Sequence, residues 1–303
     1  MFFAQSIAAL AASAAVVSAC APELYKRDGH HPAHVKRHLA RNFKRTNLPN
    51  PIEDTRGWTF DQSEEWNTLN QDWGYCFNGT QQSPIAITSS WGISKNHKPT
   101  FHYPSNLTGS FNIWDFGPQF TLDGRLSHHS MQAGSSHRRR MEVPNIEFED
   151  NGKNESAYFK SWHTHAPAEH TIDGYRPKAE LHFVHYDENA NPRAVIGFLI
   201  DRHADAEPSP FFEALPKHAN IFDNQTVSDI EIDLNQAIKE VGGYSNFFTY
   251  KGSLTTPPCY EGIRWFVGRD ILYVNDAQMQ DLLSVSTFSA RPVNPIWLHA
   301  VNE

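Results

Sequence analysis

Residues 161–170 read SWHTHAPAEH, with His163 and His165 two residues apart and Glu169 four residues further on. The segment continues a strand-like run that begins near residue 156, and residues i and i+2 of a strand point to the same face. We therefore expect the two imidazoles to project together from one face of a strand. Histidine pairs with this spacing are common by themselves, so the neighbouring segments decide what the pair does.

A second strand-like run, AELHFVHYD at residues 179–187, carries Glu180, His182 and Val184 on one face. If this strand lies beside the first, His182 reaches the same point as the His-x-His pair. Three histidines with an open fourth position are typical of a catalytic zinc site. A structural zinc site would more often be closed by cysteine.

The remaining chain predicts one β-rich domain with few helices, because short runs rich in aromatic and β-branched residues alternate with turn residues. Two segments carry helix start signals: Ser209-Pro210 opens residues 209–215, and an Asn-Asp pair opens residues 276–283. Residues 126–144 predict a long loop. The strand-like runs are FNIWDF (111–116), QFTLDG (119–124), SAYFKSWHTH (156–165), AELHFVHYD (179–187), RAVIGFLID (193–201) and IRWFVGRD (263–270).

The first 45 residues have the composition of targeting and processing segments. Residues 1–20 resemble a secretory signal peptide, and the paired basic residues that follow predict a propeptide over residues 21–45. Residues 1–45 hold seven Lys/Arg and two Asp/Glu, a net charge of +5, so residues 46–303 carry −13 of the chain's total of −8. A mature domain this acidic disfavours nucleic acid and anionic membranes as partners.

Cysteine and sequon positions agree with secretion to the extracellular space. We expect Cys20 to be removed with the signal peptide, which would leave Cys76 and Cys259 for one disulfide bond. Four Asn-x-Ser/Thr sequons predict surface glycosylation, at Asn78, Asn106, Asn154 and Asn224.

Several long segments resemble the α-class carbonic anhydrases, in the order found in that family. The resemblance extends from about residue 58 to residue 295. It implies a mainly β (α+β) single domain over residues 46–303, with a large, mostly antiparallel twisted central sheet and a few short surface helices. The segments are WGYCFNGTQQSPI (73–85), FKSWHTHAPAEHTIDG (159–174), KAELHFVHYD (178–187), GSLTTPPC (252–259) and FSARPVNP (288–295).

The activity that the resemblance implies is zinc-hydroxide-catalysed, reversible hydration of CO2 to bicarbonate and a proton, with weak esterase activity beside it. His163, His165 and His182 match the zinc ligands, and Thr255 and Glu169 match the catalytic pair that orients the reacting hydroxide. Residues that match those around the ligands are Glu180, Tyr75 and Tyr250. Residues that match the CO2 and bicarbonate site are Val184, Val195, Leu254, Thr255, Thr256, Ile263 and Trp265.

The resemblance also implies partners: CO2, bicarbonate, inhibiting anions and sulfonamides, with the chain as a monomer or homodimer. It places the Cys76–Cys259 disulfide where secreted members have theirs, bracing the segment that bears Thr255.

The sequence departs from the family pattern at two positions. Pro118 stands where fast members carry a proton-shuttling histidine, and proline cannot carry a proton. Ser161 replaces the usual glutamine before the first zinc ligand, which removes the expected hydrogen-bond acceptor for His163. Slow, buffer-dependent turnover is expected. His128, His129 and His137, in the nearby loop, are the candidates to carry the proton in place of Pro118, although simple surface exposure is the stronger expectation for them. His170, His203 and His218 are expected to be surface or structural residues.

Two alternatives remain. A cupin-type metal enzyme also uses His-x-His followed by Glu, but in a β-barrel, and it gives no role to GSLTTPPC. A carbonic-anhydrase-like binding module without zinc would share the whole pattern, although such proteins typically lose a ligand histidine.

Overall fold

The computed structural model describes residues 57–114, 116–123, 143–217 and 226–303. The described strands are β1 Ala86–Ile87, β2 Thr100–His102, β3 Leu107–Trp114, β4 Gly117–Leu122, β5 Asn145–Asp150, β6 Lys153–His165, β7 Thr171–Ile172, β8 Ala179–Tyr186, β9 Pro192–Arg202, β10 Val227–Ile232, β11 Phe247–Ser253, β12 Glu261–Gly268 and β13 Leu272–Val274. Eleven of them form one sheet in which β10, β3, β4, β6, β8, β9, β12 and β11 are successive neighbours, β5 pairs with β6 and β2, and β13 pairs with β9. Two short strands, β1 and β7, pair separately.

The predicted fold class is confirmed. Most strand pairs are antiparallel, and only β12 and β13 run parallel to their neighbour β9 within the large sheet. The sheet is open, with β10 at one end of the main path and β11 at the other, so the barrel required by the cupin alternative is wrong for the described strands.

Short helices connect or flank the strands. Both predicted helix starts are confirmed: the hydroxyl of Ser209 accepts from the backbone N–H of Phe212, and the side chain of Asn275 accepts from that of Gln278. The α-helices are α1 Trp66–Leu69, α2 Tyr75–Asn78, α3 Pro210–Glu213, α4 Leu234–Glu240 and α5 Asp276–Ser284, and 3₁₀ turns cover Phe60–Glu65, Gln71–Trp73, Ser89–Trp91 and Gly242–Tyr244.

The two faces of the sheet carry different cores. Strand β8 is buried on both sides, so its odd and even residues face separate environments. Leu181 and Phe183 enter the larger aromatic core, which α3, α4 and α5 cover. Val184 enters a smaller cluster with Val195, Ile263 and Trp265 on the other face. The histidines predicted to bind metal lie on this second face.

The N-terminal predictions, the signal peptide and propeptide, lie outside the described residues, as do Asn224, His128, His129, His137 and His218. The other three sequon asparagines, at positions 78, 106 and 154, are exposed. No helix among the described residues has the length and apolarity needed to cross a membrane. Cys76 and Cys259 form the predicted disulfide bond.

A buried charged cluster, consisting of Asp150, Glu155, Arg193, Lys251 and Arg264, joins the ends of five strands on the larger-core side. Asp150 is 1% exposed, and its two carboxylate oxygens contact Arg193 at 2.5 Å, Lys251 at 3.2 Å and Arg264. Burial alone would raise the pKa of Asp150, but hydrogen bonds from Arg264 and Arg193 and the nearby positive charge outweigh it and lower the pKa to about 2.

Replacing Asp150 with asparagine should lower stability by about 2–3 kcal/mol above pH 5, because a shift from 3.8 to about 2 corresponds to that free energy. A pKa that folding lowers contributes stability above the unfolded-state value of 3.8. That contribution disappears as the pH falls toward 2. Urea unfolding of both proteins from pH 7 to pH 2 measures the difference. Asp276→Asn, which breaks an exposed ion pair with Arg202, is the control. If the free energies of unfolding of wild type and Asp150→Asn differed by the same amount at every pH, the prediction would be contradicted.

Candidate metal centre

Three imidazoles meet on the smaller-core face of the sheet. Strand β6 carries His163 and His165, and the register of β8 sets His182 directly opposite His163. The ring centroids lie 4.9 Å (His163–His165), 5.3 Å (His163–His182) and 4.7 Å (His165–His182) apart. One nitrogen atom from each ring lies within 4.8 Å of the other two. The structure thus places β8 beside β6, the condition under which strand alternation brings the three residues together.

In two of these rings, a hydrogen bond occupies one nitrogen and so determines which nitrogen can bind a metal ion. Nδ1 of His165 lies 2.7 Å from the carbonyl oxygen of Ser289 and donates to it, so Nε2 keeps a free lone pair. Nε2 of His182 donates to Oε1 of Glu180 at 2.9 Å, so this ring offers Nδ1. Burial lowers the pKa of all three histidines, that of His165 to about 3. Neutral imidazole is the form that binds a metal.

Glu180 lies at the centre of a buried hydrogen-bond network. Its Oε1 accepts from His182 and from Nδ1 of His170 at 2.7 Å, and its Oε2 accepts from the backbone N–H groups of Glu169 and His170 at 2.9 and 2.8 Å. Burial alone would raise the pKa of Glu180, but His170 and His182 outweigh it and hold the pKa well below its usual value. A carboxylate so fixed holds the tautomer and orientation of His182.

Tyr250 extends this network beyond His170, away from the three converging imidazoles. Its ring is fully buried and stacks on Trp265, and its hydroxyl lies 2.7 Å from Nε2 of His170 and 2.9 Å from the hydroxyl of Ser83. The structure therefore connects Tyr250 to His182 through His170 and Glu180.

Glu169 and Thr255 lie together beside the histidines. Glu169 is fully buried, its Oε1 accepts from the backbone N–H of Arg291 at 3.0 Å, and its Oε2 lies 3.5 Å from Nε2 of His165. Burial and the charge of Glu180 raise the pKa of Glu169 well above its usual value, while Thr255 and Arg291 act in the opposite direction. Oε2 has no partner within normal hydrogen-bond distance among the described residues. A cation bound by the histidines would favour the ionised carboxylate.

The residues of the predicted apolar wall form one cluster, which contacts His182 through Trp265. Val184, Val195, Ile263 and Trp265 belong to one buried cluster, and Leu254 packs against it. The ring of Trp265 lies 4.9 Å from that of His182. Thr256 is half-buried next to Thr255. An apolar surface therefore lies next to one of the three converging imidazoles.

The segment that carries Thr255 is closed on itself and tied to the N-terminal part of the domain. Leu254 donates through its backbone N–H to the carbonyl of Tyr260, and Cys259 donates to that of Thr256. The Cys76–Cys259 disulfide joins this segment to α2. Tyr75, next to Cys76, is 49% exposed, and its ring meets that of Tyr260 edge-to-face at 6.1 Å. The structure thus places Tyr75 beside the Thr255 segment, at the surface, whereas Tyr250 is in the core.

Strand β4 shows which side chain faces the histidines at the position expected for a proton shuttle. Gln119 pairs with His163, and Phe120 pairs with Trp162 on the larger-core side. Paired residues of adjacent strands share a face. Gln119 therefore lies on the histidine side, whereas Pro118 is buried on the alternate side of β4. Neither side chain titrates.

Four contributors to the site lie outside the strand pattern used to find it. His170, expected to be a surface or structural histidine, is buried and hydrogen-bonded to Glu180. Ser289 and Arg291 act through backbone groups, which residue type does not reveal. Phe116 stacks on His165 with centroids 5.2 Å apart. His170, Ser289 and Arg291 lie in segments that resemble the family, but nothing in those segments showed which of their atoms would contact the site.

A family model described as eukaryotic-type carbonic anhydrase matches residues 61–296. A curated carbonic anhydrase from Neisseria gonorrhoeae is 26% identical over 251 residues, which cover 80% of this chain and 85% of that protein.

Solved structures give the same similarity. An α-carbonic anhydrase from Thermovibrio ammonificans in complex with sulfanilamide has a TM-score of 0.61 and 26% identity, covering 79% of this chain and 94% of that chain. A fungal α-carbonic anhydrase from Aspergillus oryzae has a TM-score of 0.62 and 22% identity, covering 78% and 92%. At that identity the second likeness concerns the fold alone.

Proposed function

The chain belongs to the eukaryotic-type carbonic anhydrase family, whose members interconvert CO2 and bicarbonate, and we propose that it does so at a zinc ion held by His163, His165 and His182. The observation that carries the assignment is the convergence of three neutral imidazoles from two adjacent strands. Glu180 and the Ser289 carbonyl fix two of them with bare nitrogens available.

The donor set fits zinc. Two nitrogens bound to tetrahedral zinc at about 2.05 Å are roughly 3.3 Å apart. The Nε2 atoms of His163 and His165 are already 3.1 Å apart. Three nitrogen ligands leave a fourth position open, which is the arrangement of catalytic zinc sites. Bound zinc supplies a Lewis acid that makes water a nucleophile at neutral pH.

Thr255 and Glu169 orient the reacting water. A carboxylate accepts hydrogen bonds but cannot donate them, so the hydroxyl of Thr255 turns its proton toward Glu169. Its own lone pairs then accept from the water. This arrangement points the water's oxygen at the carbon of CO2 and disfavours anions that have no proton to donate. The Arg291 N–H holds Glu169 in place from the other side.

The wall formed by Val184, Val195, Leu254, Ile263 and Trp265 holds CO2. CO2 has no net dipole, so it is accommodated by apolar surface, from which water is excluded. Bicarbonate is charged and strongly hydrated, so the same wall disfavours it after the reaction. The backbone N–H of Thr255 and the hydroxyl of Thr256 are proposed to bind bicarbonate and inhibiting anions.

The proton is proposed to leave to external buffer. The β4 segment expected to carry a shuttle offers Pro118 and Gln119, and neither can take up a proton. The maximal hydration rate should therefore rise severalfold as imidazole buffer increases from about 1 to 50 mM, because general acid–base groups accelerate proton transfer. Stopped-flow hydration at fixed pH and ionic strength measures this. A rate that is high and independent of buffer would contradict the prediction and indicate an intrinsic relay.

Zinc content and CO2 hydration, measured together on the purified chain, test the proposed function. One zinc per chain with hydration that a benzenesulfonamide inhibits would support it. A folded, zinc-poor chain without hydration would instead support the binding-module alternative. Weak hydrolysis of an aryl acetate, inhibited by the same sulfonamide, would extend the activity to esters. Secretion, glycosylation and a monomeric or dimeric state are proposed from the sequence features alone.

A further inference from the structure

The buried charged cluster around Asp150 contains more positive than negative charge. Arg193, Lys251 and Arg264 contribute three cations, and Asp150 and Glu155 contribute two carboxylates. Arg193 bridges the two carboxylates at 2.5 and 2.6 Å, so both acids are already engaged. The five side chains therefore carry a net charge of +1 in a largely buried environment.

Arg264 is the member whose hydrogen bonds are incomplete. It is 2% exposed, and Nη2 donates to Asp150. Within the described residues, neither its Nε nor its Nη1 has a hydrogen-bond partner. These atoms carry three N–H groups, and a buried donor without a partner destabilises the folded state, more so when the group is charged. Native proteins rarely leave such groups unpaired.

The missing acceptor is better supplied by an anion than by water. Water would accept hydrogen bonds from the N–H groups but would leave the net charge of +1 uncompensated. A monovalent anion accepts the same hydrogen bonds and also neutralises that charge. The cluster lies on the opposite face of the sheet from the histidines, because Arg264 alternates with Ile263 and Trp265 along β12. It is therefore separate from the proposed zinc site. Lys251 and Arg193 are 25% and 18% exposed, so two of the three cations in the cluster reach solvent.

We propose that Nε or Nη1 of Arg264 binds a small monovalent inorganic anion. Because Arg264 is nearly inaccessible, the ligand must be small, and chloride from the medium and bicarbonate from the reaction share the required charge and size. Binding holds together the ends of β5, β6, β9, β11 and β12 and stabilises the folded chain.

Thermal unfolding at constant ionic strength tests this site, with the bulky anion gluconate replaced stepwise by chloride, bromide or bicarbonate. If the anion binds specifically, the Tm of the wild type should rise by several degrees and then level off as the anion concentration increases. Arg264→Lys keeps the positive charge near Asp150 but removes all three guanidinium nitrogens, Nε, Nη1 and Nη2, and its Tm should rise by less than about a third as much. Arg202→Lys, in an exposed ion pair, is the matched control and should respond as the wild type does.

Anions that bind at the metal centre would raise the Tm of all three proteins equally, because none of the substitutions touches that site. Equal responses of wild type and Arg264→Lys would therefore overturn the proposal. If Arg264→Lys does not fold, a crystal of the wild-type chain grown in sodium bromide decides the question. An anomalous peak within about 3.5 Å of Nε or Nη1 supports the site. Water refined at that position, without a bromide peak, overturns it. Loss of the peak on adding bicarbonate identifies the product anion as a ligand, and its persistence identifies halide alone.

Discussion

Replacing His182 with alanine should remove zinc from the purified chain and lower kcat/KM for CO2 hydration at least about a thousandfold. The substitution removes one of three nitrogen donors and leaves Glu180, fully buried, without one of its two imidazole partners. A site with two protein ligands binds zinc far more weakly, and without the metal no group in the site makes water nucleophilic at neutral pH. Metal analysis after dialysis and stopped-flow hydration measure the two effects.

A control substitution distinguishes the loss of a proposed zinc ligand from the loss of an ordinary surface histidine. His102 is 46% exposed and pairs with Glu147 at 3.5 Å, an arrangement that contributes little to stability. His102→Ala should therefore keep zinc and the full rate. Circular dichroism must show that His182→Ala is folded. A folded His182→Ala chain that retains stoichiometric zinc after dialysis would show that His182 is not a ligand.

Strand periodicity predicted the centre of the site because its three histidines lie within regular strands. His163 and His165 share a face through the i, i+2 rule, and His182 faces them because β8 is the neighbour of β6. Which strands are neighbours does not follow from alternation. That step came from the family resemblance. The same limit applies to the fold. A local residue pattern predicts each strand, but the order of the strands in the sheet depends on contacts between distant segments.

Residues that act through backbone atoms or from irregular segments could not be predicted in this way. Ser289 supplies a carbonyl and Arg291 an N–H, and any residue type offers these groups. His170 follows β6 outside the regular strand, so alternation could not show that it turns inward to Glu180. The charged cluster depends on five strand ends meeting, which no local pattern predicts.

Replacing Thr255 with alanine should leave zinc bound and lower kcat/KM for hydration about a hundredfold. Thr255 lies in the segment after β11 and is not among the three proposed ligands, so metal binding does not require its hydroxyl. Its proposed role is to orient the reacting water by donating to Glu169. Loss of one such preorganised hydrogen bond typically costs 10²–10³ in rate, or about 3–4 kcal/mol.

Two further substitutions distinguish orientation from packing. Thr255→Ser keeps the hydroxyl and should retain a rate within about tenfold of the wild type, whereas Thr255→Val keeps the shape and should be as slow as alanine. Removing the hydroxyl also removes the selection for ligands with a proton to donate. Anions that have no proton to donate should therefore inhibit Thr255→Val more strongly than they inhibit the wild type, when the inhibition constant for each protein is expressed relative to that of a sulfonamide. If valine and serine were equally active, the hydroxyl would not orient the water, and Glu169 would have to act on it without Thr255.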